Sequence, residues 1–242
     1  MNTFIAASIQ ACSEIRTHIA LNDPKLYEMH QAGYGGDISS GIDLIAEEIC
    51  HKHLHPFGSL FSEESGWLSP PGEINIICDP LDGSDNFASG FPYFGISIAK
   101  ENAGTITEAI VCNLSNGECF IRTETEYYRL FLDNPENALL VDRYTVAKVG
   151  IFEKSPEHPV LIQKLIEKKL KFRSPGALAL SLAYAPYVNY VLFLGTMRPY
   201  DIEAGLFLSR HLNVHRDDRY ILICADKQLF EEIRFIVEKE YY

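Results

Sequence analysis

The 242-residue sequence predicts an α/β fold in two lobes, an α+β N-terminal lobe over residues 1–134 and an α/β C-terminal lobe over residues 135–242. Three observations predict it. Apolar residues recur at helical spacing over the first fifty residues and then give way to short β-branched runs broken by Gly and Asn. After "LDNPEN" (132–137), strand-like and helical segments alternate to the end of the chain, the mark of an α/β lobe. The hydrophobic share, 47%, is enough for one large domain or two compact lobes.

The elements follow in order. Residues 3–21 place Ile5, Ile9, Cys12, Ile15 and Ile19 on one helical stripe. Gly33, Gly35 and Gly36 mark a loop. "GIDLIAEEICHKHL" (41–54) is a second helix, with Ile42, Ile45, Ile49 and Leu54 inward. "SLFSEESGW" (59–67) is a strand running into a turn, and "INIICDP" (74–80) a buried strand with Asp79 at its mouth. "YFGISIAKE", "ITEAIVCNLSN", "GECFIRTE" and "EYYRLF" form an antiparallel meander over 93–131. "ALLVDR" (138–143) and "AKVGIF" (147–152) read as strands and "PVLIQKLIEKKL" (159–170) as a helix. The next helix opens at Ser174 as N-cap with Pro175 at the first helical position. A strand at 187–195, a helix at 200–212, a strand at 220–226 and a closing helix at 227–240 complete the chain. In the last helix Leu229, Ile233, Ile236 and Val237 form a core stripe.

Composition removes several classes of function. A net charge of −12 argues against binding a nucleic-acid polymer, which needs clustered Lys and Arg. It does not exclude a small phosphorylated substrate held through metal ions. No run of about 18 apolar residues is present, so no membrane partner is expected. The N-terminal stretch is interrupted by Glu14 and Arg16 and lacks the basic start of a signal peptide. Six cysteines without CxxC spacing read as reduced thiols, so the expected location is the cytoplasm. The histidines of "HKHLH" (51–55) and "HLNVH" (211–215) lack HExxH or HxxEH company and read as helix-end or surface groups rather than zinc ligands. Trp67, the only tryptophan, reads as a packing anchor.

The chemistry concentrates in "CDPLDGSDNFASG" (78–90). Carboxylates stand where apolar runs meet turns: Asp43, Glu63 and Glu64, Asp79 and Asp82, and Asp201. Hard divalent cations such as Mg²⁺ prefer carboxylate and carbonyl oxygens. A tight turn at "DPLDG" would aim Asp79, Asp82 and the Leu81 carbonyl at one point, with Gly83 permitting close backbone approach. Ser84 would cap a short helix whose first N–H groups favour an anion. A metal site beside an anion site suits attack on a phosphate ester. Asp-Pro and Asp-Gly are also ordinary turn dipeptides, and spacing alone does not bring distant acids together. Asp85 reads as a solvated or helix-N-terminal acid.

These segments resemble the inositol monophosphatase family, in the larger group that includes fructose-1,6-bisphosphatases. "CDPLDGSDNF" resembles its D-P-(I/L)-D-G-(T/S)-x-N-F signature. "FSEESG" resembles its upstream G-E-E-S segment, with Ser62 for glycine. "RPYDIEAG" resembles its (K/R)-P-W-D-x-A-A-G signature, with Tyr200 for tryptophan. "GGDISSGIDLIAEEI" is similar to the early metal-site segment of archaeal members, and "RSPGALALSLAYA" to the substrate-side helix. The resemblance implies a layered αβαβα sandwich of the sugar-phosphatase type and a lithium-sensitive phosphomonoesterase using two to three Mg²⁺ ions. It implies that Glu63, Asp79 and the Leu81 carbonyl hold one Mg²⁺, that Asp79, Asp82 and Asp201 hold a second, and that a third sits near Glu63. It assigns Asp43 and Ser84 to the attacking water, with Glu63 beside them, and Gly83 and Ser84 N–H groups to the phosphate. By position, Arg198 close to Asp201, Arg173 ahead of the substrate-side helix and Gly176 within that segment are candidate substrate contacts, the alternative for the two arginines being surface residues with solvated ends. It also implies a homodimer. Substrates implied are inositol monophosphate or fructose 1,6-bisphosphate; the alternatives are a 3′(2′),5′-bisphosphate nucleotidase of the same chemistry and a non-catalytic metal-binding relative. Leu194 stands where the family carries its inositol-reading acid, seven residues before Asp201.

Overall fold

Continuous apolar runs in both halves of the chain require sheets covered on both faces, and the structure supplies them. It is a computed structural model describing residues 3–141 and 146–241. Helix α1 (Thr3–Leu21) precedes a small hairpin of β1 (Met29–Ala32) and β2 (Ile38–Ser40), and then α2 (Gly41–Leu54). The first large sheet takes β3 (Ser59–Ser62), β4 (Gly66–Trp67), β5 (Ile74–Asp82), β6 (Gly95–Asn102), β7 (Thr105–Asn113), β8 (Glu118–Arg122), β9 (Tyr127–Phe131) and β10 (Asn134–Leu140). The one-turn helix α3 (Ser84–Ala88) stands between β5 and β6. The eight strands run in the order β10-β9-β8-β7-β6-β5-β3-β4. Only β3 and β5 pair in parallel; β6 through β9 form the expected meander, which β5 and β10 extend on either side.

The second sheet contains β11 (Gly150–Glu153), β12 (Phe172–Arg173), β13 (Val191–Leu194), β14 (Asn213–Arg216) and β15 (Tyr220–Cys224). Its order is β12-β11-β13-β15-β14, parallel on the β12 side and antiparallel on the β14 side. Helices α4 (Pro159–Glu167), α5 (Leu178–Ala183), α6 (Pro199–Ser209) and α7 (Lys227–Tyr241) alternate with these strands.

The period of two along each strand stacks these elements into five layers. Ile76 and Cys78 of β5, with Ile110 and Cys112 of β7, face α1 and α2 and pack on Phe4, Ile5, Ile42 and Ala46. Ile77, Val111 and Phe120 face the other way, onto Ala177, Leu180, Ala204 and Leu208 of the α5–α6 layer. The far side of that layer, Leu178, Leu182 and Ile202, meets Ile151, Val191, Phe193 and Ile223 of the second sheet. The outer face of the second sheet packs on α4 and α7 through Leu161, Leu165, Ile233 and Val237. This is the expected αβαβα sandwich. Gly205 lets α5 and α6 share one layer: a Cβ there would stand 2.4 Å from Leu182 Cβ.

Several local expectations are corrected. Ser174 and Pro175 do not start a helix; α5 begins at Leu178 after an uncapped Ala177. Tertiary hydrogen bonds claim the segment instead: Asn86 Nδ2 donates to the Pro175 carbonyl at 2.7 Å, and Gly176 N donates to Glu153 Oε2 at 3.0 Å. The helix expected to reach residue 212 ends at Ser209, and "NVHR" becomes β14 because it can pair along β15. β10 starts at Asn134, and its pairing with β9 carries the first sheet on to Leu140. Of the strand expected at 138–143, residues 142 and 143 lie outside the described residues. Trp67 is half-exposed on edge strand β4, tilted against Phe61 at 5.0 Å between ring centroids.

Candidate metal and phosphate site

The site begins with a β-bulge. Asp79 pairs with Ser97 and Asp82 with Gly95, so three steps along β5 match two along β6. Without the extra residue, Asp79 and Asp82 would point to opposite faces; the bulge returns both to one side. The segment therefore stays in the strand rather than forming the tight turn expected from Pro80 and Gly83. Pro80, which has no N–H to give a ladder, is at ease in such a bulge. Gly83 then adopts a left-handed backbone, φ +87°, and turns the chain into α3. A Cβ at this position would also come within 3.0 Å of Ala177 Cβ and 3.1 Å of the Tyr93 carbonyl.

Three other segments meet this strand end. Glu63 follows β3, held by the loop in front of it: Gly35 N donates to the Glu63 carbonyl at 2.8 Å and Tyr34 N to that of Glu64 at 2.7 Å. Asp201 stands in the first turn of α6, after Pro199. One oxygen each of Glu63, Asp79 and Asp201 lies within 4.8 Å of the others, and among the described residues this is the one such group of potential ligands. Asp82 joins from the side, its Oδ2 accepting from Leu180 N at 2.9 Å, and the Asp79 Oδ1 accepts from Leu81 N at 2.9 Å. Asp79, Asp82 and Asp201 are buried.

Burial together with mutual repulsion shapes their ionisation. Burial, with Asp201's charge adding, pushes Glu63 up to about 7. Asp79 and Asp82 are driven well above the usual carboxylate range by burial first and then by neighbouring acids. Burial raises Asp201 as well, and Arg198 opposes it. Four acids that each resist ionising in one place are a poor design for a bare protein and a good one for hard cations, which repay desolvation by direct contact. The donor set is all oxygen, with the buried Leu81 backbone beside it, and fits Mg²⁺.

These residues line a cavity of about 740 Å³ between the two sheets. Asp43, Gly83, Ser84, Gly176 and Arg198 line it too. Asp43 is the third residue of α2 and closes a capping box: Ser40 N and Oγ donate to its Oδ2 at 2.6 and 2.7 Å. No hydrogen bond joins Asp43 to Ser84 among the described residues. Arg198 reaches the acids rather than open solvent, pairing with Asp201, Asp37 and Glu63. Arg173 is not among the lining residues; its Nη1 donates to the Phe172 carbonyl on the sheet edge at 2.8 Å. Asp85 is exposed in the first turn of α3, as expected. His51 and His55 stack at the end of α2, at 5.3 Å between ring centroids.

Sequence reasoning missed Asp37, Glu153, Lys154 and Phe193, all of which line the cavity. Glu153 is buried at the end of β11, accepting from Gly176 N and Ser181 Oγ, and its one signal was an acid closing an apolar run. Leu194 packs into the outer core of the second sheet, while Phe193 beside it faces the cavity.

A profile of the inositol monophosphatase family matches residues 3–213. The chain belongs to the inositol monophosphatase family. Members are largely Mg²⁺-dependent phosphatases of small phosphorylated substrates. A fructose-1,6-bisphosphatase/inositol-1-monophosphatase of Thermococcus kodakarensis is 29% identical over 192 residues, covering 72% of this chain and 67% of that one. The Nus factor SuhB of Escherichia coli is 29% identical over 227 residues, covering 87% of this chain and 83% of its own length. The solved IMPase of Thermotoga maritima superimposes with a TM-score of 0.76 at 20% identity, over 97% of this chain and 98% of that one. No helix among the described residues of this family member is long and apolar enough to cross a membrane.

Proposed function

We propose that the protein is a Mg²⁺-dependent phosphomonoesterase that hydrolyses a small sugar or polyol phosphate, inositol monophosphate or fructose 1,6-bisphosphate, with water as the nucleophile. The observation that carries this reading is the convergence of Glu63, Asp79 and Asp201 within 4.8 Å beside Asp82 and the Gly83–Ser84 turn. Glu63, Asp79 and the Leu81 carbonyl would hold one Mg²⁺, and Asp79, Asp82 and Asp201 a second, with a third near Glu63. When bound, the ions offset phosphate and leaving-group charge and make water easier to deprotonate.

The chain's own groups do the remaining work. Gly83 and Ser84 present backbone N–H groups to phosphate oxygens. Asp43 has one oxygen fixed by Ser40, which leaves the other to take a proton from water, with the Ser84 hydroxyl orienting that water. No covalent intermediate is needed, because phosphoryl transfer depends mainly on positioning and charge neutralisation.

Phosphate release from inositol 1-phosphate, fructose 1,6-bisphosphate and adenosine 3′,5′-bisphosphate, with and without Mg²⁺, tests the reading. Metal-dependent release from a sugar or polyol ester supports it; a preference for the adenosine ester moves the assignment to a nucleotidase. A second reading, a binding role without catalysis, is favoured by the relatives named Nus factor SuhB, and is the one left if no ester is cleaved. The homodimer and the cytoplasmic location stay part of this proposal, and light scattering measures the former.

A further inference from the structure

Two cations line the cavity, Lys154 and Arg198. Arg198 is committed to Asp201, Asp37 and Glu63. Lys154 is exposed and makes no ion pair among the described residues. Its Nζ lies 5.9 Å from the centroid of the Phe193 ring, on the cavity side of β13. Both residues come from strand ends of the second sheet, whereas Asp79 and Asp82 come from the first.

The backbone at Lys154 is held for this placement. Its φ of 54° and ψ of 24° are left-handed, a conformation unfavourable for a residue other than glycine or asparagine. The residue before it, Glu153, is anchored to Gly176 and Ser181, and a short 3-10 turn over Ser155–Glu157 follows at once. The strained residue thus sits between two fixed points at the cavity edge. Since Leu194 is turned into the outer core, this stretch of β13 offers the cavity an aromatic face and no acid. An ammonium above that face, which feels Asp201 at longer range but makes no close ion pair among the described residues, is a site for an anion.

We propose that Lys154 binds a second anionic group on the substrate, so that the cavity selects phosphate esters carrying a further phosphate or carboxylate over those with an uncharged alcohol portion. This rests on the phosphatase reading above. The test compares fructose 1,6-bisphosphate with fructose 1-phosphate, which differ only in the distal phosphate, in the presence of Mg²⁺. The wild type should favour the bisphosphate in kcat/KM. Lys154→Asn removes the ammonium and suits a left-handed backbone; it should lower the bisphosphate-to-monophosphate ratio by roughly tenfold or more, through KM. Lys154→Arg should keep the ratio within about threefold of wild type, since the charge remains. An unchanged ratio in Lys154→Asn overturns the proposal. If wild type cleaves neither ester, the phosphatase reading fails separately, and calorimetric binding of the same two esters decides the matter. Tighter bisphosphate binding that is lost in Lys154→Asn then supports the assignment, and equal binding ends it.

Discussion

Arg198 Nε donates to Asp201 Oδ2 at 2.7 Å, and the same guanidinium reaches Asp37 Oδ2 at 2.7 Å and Glu63 Oε1 at 3.2 Å. The arginine therefore uses oxygens that a metal ion among Glu63, Asp79 and Asp201 would also use. Each cation weakens the other's hold by sharing those lone pairs and by direct repulsion.

Replacing Arg198 by Met should accordingly tighten Mg²⁺ binding by roughly tenfold, read by titration calorimetry. In chelator the same variant should lose about 2 kcal/mol of stability, because the acids lose their counter-ion. Mg²⁺ binding that weakens instead would show that the guanidinium mainly holds Glu63 and Asp201 in place.

Charge neutralisation of the acids should have the opposite pair of effects. Asp79 is buried and its neighbours push its carboxyl up, so its ionised form is a burden on the fold. Asn at 79 keeps an oxygen to accept from Leu81 N and removes the burden. Asp79→Asn should raise the melting temperature in chelator by about 2–4 °C, roughly 1 kcal/mol for a chain of this size. Mg²⁺-dependent phosphate release should fall at least about 100-fold. Asp82→Asn, which can still accept from Leu180 N, should lose activity similarly, and full activity in that variant would remove Asp82 from the site.

Much of this arrangement was legible before any coordinates. Asp79, Asp82 and Gly83 stood out because acids and turn formers follow directly on an apolar run, whereas the five-layer order was implied by the resemblance to the inositol monophosphatase family and not by the runs themselves. What stayed hidden depended on partners remote in sequence. The Arg198–Asp37 pair spans 161 positions. The uncapped start of α5 reflects the claims of Asn86 and Glu153 on residues 175 and 176, which override a good local N-cap sequence. The bulge at Asp79–Asp82 is a property of pairing with β6, invisible in β5 alone. Lys154 gave no local signal, because left-handed backbone is ordinarily announced by Gly or Asn.

Glu63 sets the expected pH dependence. Burial, with the Asp201 charge adding, pushes its carboxyl up from an ordinary 4.5 to about 7 in the fold. Between those values the folded state keeps a proton that the unfolded chain has released, so stability in chelator should fall as pH rises through this window and level off above it. Mg²⁺ needs the ionised form, so binding at about pH 6 should release a proton to buffer and strengthen toward neutrality. Calorimetry in buffers of different ionisation enthalpy measures the release. Glu63→Gln should abolish it; a release that persists unchanged in Glu63→Gln assigns the proton to another acid of the cluster.

The α5–α6 layer transmits stability to the site, and at Gly205 the two helices leave no room for a side chain. An alanine there would place Cβ 2.4 Å from Leu182 Cβ and 2.9 Å from Leu182 Cδ1, and the first of these cannot be relieved by a rotamer change. The helices must separate, at a cost of about 1–3 kcal/mol for overpacking. Separation is not neutral for chemistry. The N-terminal turn of α5 supplies the Leu180 N–H that fixes Asp82, and that of α6 carries Asp201. Gly205→Ala should therefore lower the urea midpoint and also weaken Mg²⁺ binding, although residue 205 is not among those lining the cavity. A control at Val160, half-exposed on α4 in the outer layer, separates local from general loosening: Val160→Ala should leave Mg²⁺ affinity within about twofold of wild type. Equal losses of affinity in both variants would mean that the layer has no special hold on the acids.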